Sequence, residues 1–260
     1  MIVGGSRELA GGAYLAAMAS LRAGAGKLQV ATPQSIAVPL AVAIPEARVI
    51  GHAETSEGCL SPDSIPSLLE YVKGAHGVTV GCGLQHGPAL ETFLDALLDC
   101  GAEVPLVLDA AVLGDLNQRS AALRAWRGGA ILLPHAGEMV RLLNRERDVI
   151  ERDPLGAARA AAETFGAVAL LKGQFSHIVA PDGQSFRYEG GGIGLATSGS
   201  GDVLAGIVGG LSARGADPLT ATLWGVYLHG ESGRLLKQRV GRVGFLAREL
   251  LDLIPQLMPN

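Results

Sequence analysis

The sequence predicts an α/β protein built on a mostly parallel central sheet with helices on both faces. Short, nearly continuous apolar runs alternate with stretches of helical spacing over the first two thirds of the chain. Strands apolar on both faces belong in parallel sheets that helices cover from either side. Glycine is abundant, at 37 of 260 residues, while aromatic residues make up only 4%. That balance suits tight turns and close backbone approaches more than an aromatic binding platform. With 48% hydrophobic and 18% charged residues and a mean hydropathy of +0.30, the chain has a large core to bury and is not disordered.

Val3 ends a first short strand. Residues 13–21, rich in Ala, Leu and Met, follow as a helix, and KLQVA at 27–31 is the next strand. Residues 48–50, 77–80, 105–108, 130–133 and 167–171 continue the strand series. Each is β-branched or leucine-rich, and most stop at Gly, Pro or Asp. Between them, 60–73, 88–100, 119–127 and 154–165 carry apolar residues at helical spacing. The last third differs. Residues 177–180 and 186–188 read as a hairpin around Pro181-Asp182-Gly183, followed by helices at 203–213, 219–236 and 245–257. No Pro- or Ser-rich linker, repeat or low-complexity tract divides the chain, so residues 1–260 are expected to form a single domain.

A net charge of −4 and a pI of about 5.9 argue against a nucleic-acid partner. Cys59, Cys82 and Cys100 have neither disulfide nor zinc spacing and are expected to be free thiols in a reducing compartment. No apolar run reaches the roughly 18 residues of a membrane span. The opening Met1-Ile2-Val3-Gly4-Gly5 lacks the build of a signal peptide. The expected location is the cytoplasm, with no membrane partner.

Ligands of open α/β sheets bind beyond the carboxyl ends of the strands. The residues that follow the strands are therefore the candidates: Gly81-Cys82-Gly83, Asp109-Ala110-Ala111, Pro134-His135-Ala136-Gly137-Glu138 and Lys172-Gly173. The strongest local signal is Thr197-Ser198-Gly199-Ser200-Gly201-Asp202, directly before an apolar helix. Small residues there let backbone N–H groups face an anion, and the helix N-terminus adds about half a positive charge. The same carboxylate also suits a plain N-cap. At a helix N-terminus the dipole is expected to lower the Asp202 pKa. The loop matches neither the Walker phosphate loop, nor GxGxxG, nor GxSxG, and HExxH is absent. His135 and Lys172 each suit a structural role as well as a functional one. Glu138 suits a helix cap or a magnesium-water network. His229, in Gly225-Val226-Tyr227-Leu228-His229-Gly230, reads as a satisfied core histidine.

In this order the pieces resemble the ribokinase-like superfamily and, within it, the NAD(P)H-hydrate dehydratase family. The resemblance runs from Gly4-Gly5-Ser6 and Leu21-Arg22-Ala23-Gly24-Ala25-Gly26 through Ile44-Pro45-Glu46-Ala47, Gly81-Cys82-Gly83-Leu84 and Val107-Leu108-Asp109-Ala110. It continues through Pro134-His135-Ala136-Gly137-Glu138 and Leu171-Lys172-Gly173 to the glycine-rich stretch 194–206 and Gly225 to Gly230. Each motif is weak alone; together they cover essentially the whole chain. Four positions depart from patterns frequent in the family. Leu9-Ala10-Gly11-Gly12-Ala13 replaces a Tyr-Pro-Gly-Ala-Ala run, Cys82 a proline, Ala111 an aspartate and Gly192 an asparagine.

The resemblance implies dehydration of the S epimer of hydrated NADH or NADPH back to NAD(P)H, coupled to hydrolysis of ADP to AMP and phosphate, with Mg2+ as cofactor. It implies Asp202 as the catalytic base and Gly199, Ser200 and Gly201 as the anion hole. Lys172, Gly173, Gln174, Phe175, Ser176 and Gly201 would bind the nucleotide, ADP or ATP. Gly12, Gly83, His135 and Asp202 would hold the hydrated cofactor, and no side chain is expected to ligate a metal directly. A homo-oligomer, a tetramer in many relatives, and a separate epimerase protein also follow from the resemblance, since no N-terminal epimerase domain is recognised. The alternative reading is an ATP-using kinase of a small alcohol or vitamin precursor on the same fold.

Overall fold

The structure is a computed structural model that describes residues 1–258; the last two positions of the expected domain lie outside the described residues. Its strands are β1 (Ile2–Val3), β2 (Leu28–Pro33), β3 (Ala47–His52), β4 (Val78–Val80), β5 (Leu106–Leu108), β6 (Ala130–Leu132), β7 (Val168–Leu171), β8 (Ser176–Val179) and β9 (Ser185–Tyr188). Among the described residues they form one nine-stranded sheet in the order 3-2-1-4-5-6-7-8-9. The pairs from β1 to β7 are parallel, and β8 and β9 add an antiparallel edge, the expected hairpin.

Strand residues alternate between two cores. Val107, Ile131, Val168 and Leu170 belong to one, and Leu106, Leu108, Leu132 and Leu171 to the other. This is the period of two that a pleated strand imposes, with both faces apolar. Helices α1 (Ala10–Arg22) and α2 (Gln34–Ala43) cover the first core. Helices α3 (Ile65–Lys73), α4 (Pro88–Asp99), α5 (Ala111–Gly114), α6 (Ser120–Arg124), α7 (Ala136–Leu143), α8 (Arg147–Arg152) and α9 (Pro154–Phe165) cover the second. Helices α10 (Ser200–Ala213), α11 (Pro218–Arg239), α12 (Ala247–Leu250) and α13 (Ile254–Leu257) return to the first. Strand order runs outward from β1 in both directions, and right-handed crossovers then place the connecting helices on opposite faces. The reversal between β1 and β4 opens a crevice at the carboxyl edge of the sheet.

Prolines and turns explain where elements differ from expectation. Helix α2 has no counterpart in the sequence pattern; it holds Pro39 in its interior, where proline normally signals a break. The helix expected over 60–73 begins only at Ile65, because Pro62 opens a separate 3-10 turn. The one expected over 119–127 contracts to α6, since a 3-10 turn at Asn117–Arg119 precedes it. The single helix expected over 245–257 is two short ones. Pro255, at the start of α13, has no N–H with which to continue a helix from α12. No helix among the described residues is long and apolar enough to cross a membrane.

One packing contact positions the site. Helix α10 lies against α1 through glycines: a Cβ on Gly206 would collide with the Ala16 carbonyl oxygen, and one on Gly210 would stand 2.7 Å from that of Ser20. The Ser20 hydroxyl donates to the Gly206 carbonyl at 2.9 Å. This close approach sets the first turn of α10 over the carboxyl edge of the sheet.

Candidate active site

Beyond β6 and β7 the backbones stay side by side. The Lys172 N–H donates to the Pro134 carbonyl at 2.8 Å, and His135 bridges to Lys172. Lys172 thus points back across the strand ends, where its ammonium donates to Asp109 Oδ1 at 2.7 Å and stands 3.8 Å from Glu138 Oε2. Asp109 is only 2% exposed, and burial pushes its pKa up to about 6 against the pull of Lys172. Burial works against the Lys172 ammonium, but the charges of Asp109 and Glu138 outweigh it and raise its pKa. Lys172 is therefore an ion-pair partner at the sheet edge, not a surface lysine.

Helix α10 starts at Ser200, three residues before its expected start, with Gly199 as N-cap at φ +84°. That left-handed conformation favours glycine, and a Cβ there would also strike Leu15. Asp202 lies inside the first turn, so it is not the N-cap. The Ser200 N–H donates to the Thr197 carbonyl at 3.2 Å, while those of Gly199, Gly201 and Asp202 have no acceptor among the described residues. Free N–H groups at a helix N-terminus attract anions. A Cβ on Gly201 would stand 3.5 Å from Lys172 Nζ and 3.7 Å from Asp109 Oδ2. Glycine here keeps the space between ammonium and helix end open.

The Asp202 pKa departs from expectation. Burial raises it, and the Cys82 thiol hydrogen bond and the Lys172 charge only partly offset that rise. A helix dipole lowers an acid's pKa where the helix end is well solvated; here the carboxylate is half-buried against fully buried Cys82, and desolvation wins.

A cleft of about 970 Å³ opens between this edge and the β8–β9 hairpin. Lys172, Gly173, Gln174, Phe175 and Ser176 form one wall, Ser200 and Gly201 line its floor, and His135 stands at its rim. His135 caps α7. Its Nδ1 accepts from the Glu138 N–H at 3.1 Å, and Glu138 Oε2 accepts from the His135 N–H at 2.8 Å. Nδ1 is engaged, and Nε2, beyond hydrogen-bond geometry at 3.5 Å from Glu138 Oε1, is the ring nitrogen on the cleft side of the cap. Gly12 and Gly83 do not line this cleft. They meet at the crevice between β1 and β4, where a Cβ on Gly12 would stand 2.7 Å from the Gly83 nitrogen. Of the departing positions, Cys82 adjoins Asp202, Ala111 opens α5, and Gly192 lines the cleft at φ +106°.

Three nitrogen-bearing side chains of the cleft, those of His229, Lys237 and Arg242, lie outside the site that the sequence predicts. His229 was read as core; it is satisfied, but its partner is Ser200 Oγ, 2.9 Å from Nε2, and it lines the cleft. The Gly225 to Gly230 motif was the signal that singled it out. Lys237 and Arg242 also reach the cleft, and lone bases at the end of a helix carry no pattern that would reveal them.

Open N–H groups, an ammonium and its buried partner Asp109 at the carboxyl edge of a parallel sheet define a site suited to a nucleotide's phosphates. The chain belongs to the NAD(P)H-hydrate dehydratase family, whose model matches residues 1–256. It is 40% identical over 259 residues to the ADP-dependent (S)-NAD(P)H-hydrate dehydratase of Xanthomonas campestris, covering 99% of this chain and 87% of that one. Its fold is similar to the ADP/ATP-dependent NAD(P)H-hydrate dehydratase of Bacillus subtilis co-crystallised with ATP and Mg2+. The TM-score is 0.81 at 27% identity, over 98% of this chain and 86% of that one. A ribokinase-like superfamily protein of Enterococcus faecalis superposes with TM-score 0.83 at 25% identity, over 98% and 84% of the two chains. The resemblance read from the motifs and the ribokinase-like fold are both borne out.

Proposed function

We propose that this chain restores NADH or NADPH from the S epimer of the hydrated cofactor and couples the loss of water to hydrolysis of ADP to AMP and phosphate. The observation that carries the proposal is the meeting of the Lys172–Asp109 pair with the open first turn of α10, which holds Asp202 within the influence of the Lys172 charge. Asp202 takes the proton of the hydrate's hydroxyl. The oxygen attacks the terminal phosphoryl group of ADP, the bond from that phosphorus to AMP breaks, and AMP departs. The C–O bond of the phosphate ester then breaks, releasing phosphate, a far better leaving group than hydroxide; the adjacent ring carbon gives up a proton to water, and the ring regains its double bond. A base with a raised pKa accepts a proton more readily near neutral pH. Phosphoryl transfer otherwise needs positioning and charge stabilisation, which Gly199, Ser200, Gly201 and Lys172 supply. The wall from Lys172 to Ser176 takes the nucleotide, and Gly12, Gly83 and His135 face the hydrate. The continuous sheet supports treating residues 1–260 as one domain.

Magnesium enters this reading with the nucleotide. Among the described residues, no three His, Cys, Asp or Glu side chains converge as a metal cage. Mg2+ keeps several waters and takes phosphate oxygens as ligands, so it would be held chiefly by the nucleotide. When bound, it neutralises charge on the phosphates.

ADP at a given concentration, with Mg2+ and hydrated NADH, is expected to drive a rise in reduced-nicotinamide absorbance. A rise with ATP alone would remove ADP as the donor and leave the family assignment standing. His135→Ala is expected to raise KM for the hydrate more than it lowers kcat, the mark of lost ground-state binding. It also removes the α7 cap, worth about 1 kcal/mol, so steady-state kinetics belong well below Tm. An unchanged KM would contradict the role given to His135.

A further inference from the structure

We propose that His229 is a positioning residue of the phosphate site: it donates from Nε2 to Ser200 Oγ and turns the Ser200 hydroxyl proton into the cleft. The inference rests on the proposed function for the identity of the phosphate, but its geometry is independent of the hydrate. Ser200 is the first residue of α10, and its own N–H is engaged by Thr197. Its side chain is therefore what it can offer an anion beside the free N–H groups of Gly201 and Asp202. A serine hydroxyl has one proton. If Ser200 gives that proton to His229, it presents only lone pairs to a phosphate oxygen and repels it. If His229 gives its proton to Ser200, the hydroxyl is free to donate.

An anion at this helix end calls for the second arrangement, the neutral tautomer with its proton on Nε2. Nε2 lies 2.9 Å from Ser200 Oγ, and Ser200 is 4% exposed, so the hydroxyl has little water to turn to. Burial pushes the His229 pKa down to about 4; the Ser200 backbone pulls the other way, and the Lys172 charge adds a little to the fall. The imidazole is then neutral at working pH and adds no charge of its own to the site. The groups facing this pair are Lys172 across the cleft floor and the first turn of α10. Lys172 disfavours a charged imidazole, and Lys172 and the helix end both favour an anion near Ser200.

Four variants test the proposal: Ser200→Ala, His229→Leu, His229→Gln and the double variant Ser200→Ala/His229→Leu. A hydrogen bond to a charged group is worth about 1.5–3 kcal/mol, so Ser200→Ala is expected to lower kcat by about 10- to 100-fold. His229→Leu is expected to lower kcat by a similar factor, and the double variant by no more than either single change, because both remove one donor. His229→Gln places an amide N–H near the position of Nε2 and is expected to recover most of the loss. ADP affinity measured by calorimetry without hydrate should weaken in the same order. That readout holds even if the dehydratase reading fails, whereas loss of activity on hydrate in the wild type would strike that reading alone. Multiplicative effects in the double variant, or His229→Gln no better than His229→Leu at equal Tm, would overturn the positioning role.

Discussion

Asp202→Asn is expected to lower kcat by at least about 100-fold while leaving nucleotide binding intact. Loss of a general base costs on the order of 10²–10⁴ in rate, and asparagine keeps the shape but cannot take the hydroxyl proton. Because Asp202 sits inside the first turn of α10 and is not its cap, little helix stability depends on it. Removing a negative charge beside the phosphates should hold or tighten ADP affinity. The wild type carries a second signature. Burial raises the Asp202 pKa, and a base works only when ionised. The kcat/KM of the wild type should therefore fall on the acid side at a pH above the ordinary aspartate range near 3.9. Asp109 interacts with Asp202, so the apparent value belongs to the cluster. A variant that retains more than about a tenth of wild-type turnover, against the loss expected of a general base, contradicts the assignment of the base.

Lys172→Met is expected to be the most destabilising change at the site. It leaves Asp109, 2% exposed, without the ammonium that donates to it at 2.7 Å. Breaking a buried pair from one side costs about 3–5 kcal/mol. The loss should depend on pH. The folded-state pKa of Asp109, about 6, lies above its unfolded value, so the native state holds the extra proton. The stability that this proton contributes is present at low pH and lost as pH rises through the folded pKa. Without Lys172 that pKa rises further. At pH 5 the lone carboxyl is neutral and tolerable; at pH 8 holding it neutral, or burying its charge, is costly. Thermal unfolding of wild type and variant at both pH values should show the larger drop in Tm at pH 8. An equal drop at both would mean that Asp109 is not the group exposed by the change.

The strands were legible because a strand buried on both faces must be apolar at consecutive positions, as at Val107 and Leu108 or Leu170 and Leu171. Helix limits were less so. Pro39 sits inside α2 and Pro255 near the start of α13, and local sequence does not say which proline is tolerated. At the site, the rule that ligands bind at carboxyl strand ends sufficed to place Asp109, His135, Glu138 and Lys172 on one edge. It did not show that Lys172 and Asp109, 63 residues apart, form a pair. The contact of His229 with Ser200 joins two helices 29 residues apart, and a histidine on an apolar helix looks the same whether its partner is structural or catalytic. The direction of the Asp202 shift was hidden for a similar reason: it depends on how much water the packed loop at Cys82 leaves around the carboxylate.

The fold alone leaves room for a kinase of a small alcohol, and the products separate the two chemistries. A hydrate dehydratase turns one hydrate and one ADP into one reduced cofactor, one AMP and one phosphate. Hydrated NADH, ADP and Mg2+ with the purified protein, followed together by reduced-nicotinamide absorbance and free phosphate, should show NADH and phosphate rising in equal amounts. Nucleotide consumption with a phosphorylated product that accumulates, and no gain in NADH, would contradict the account.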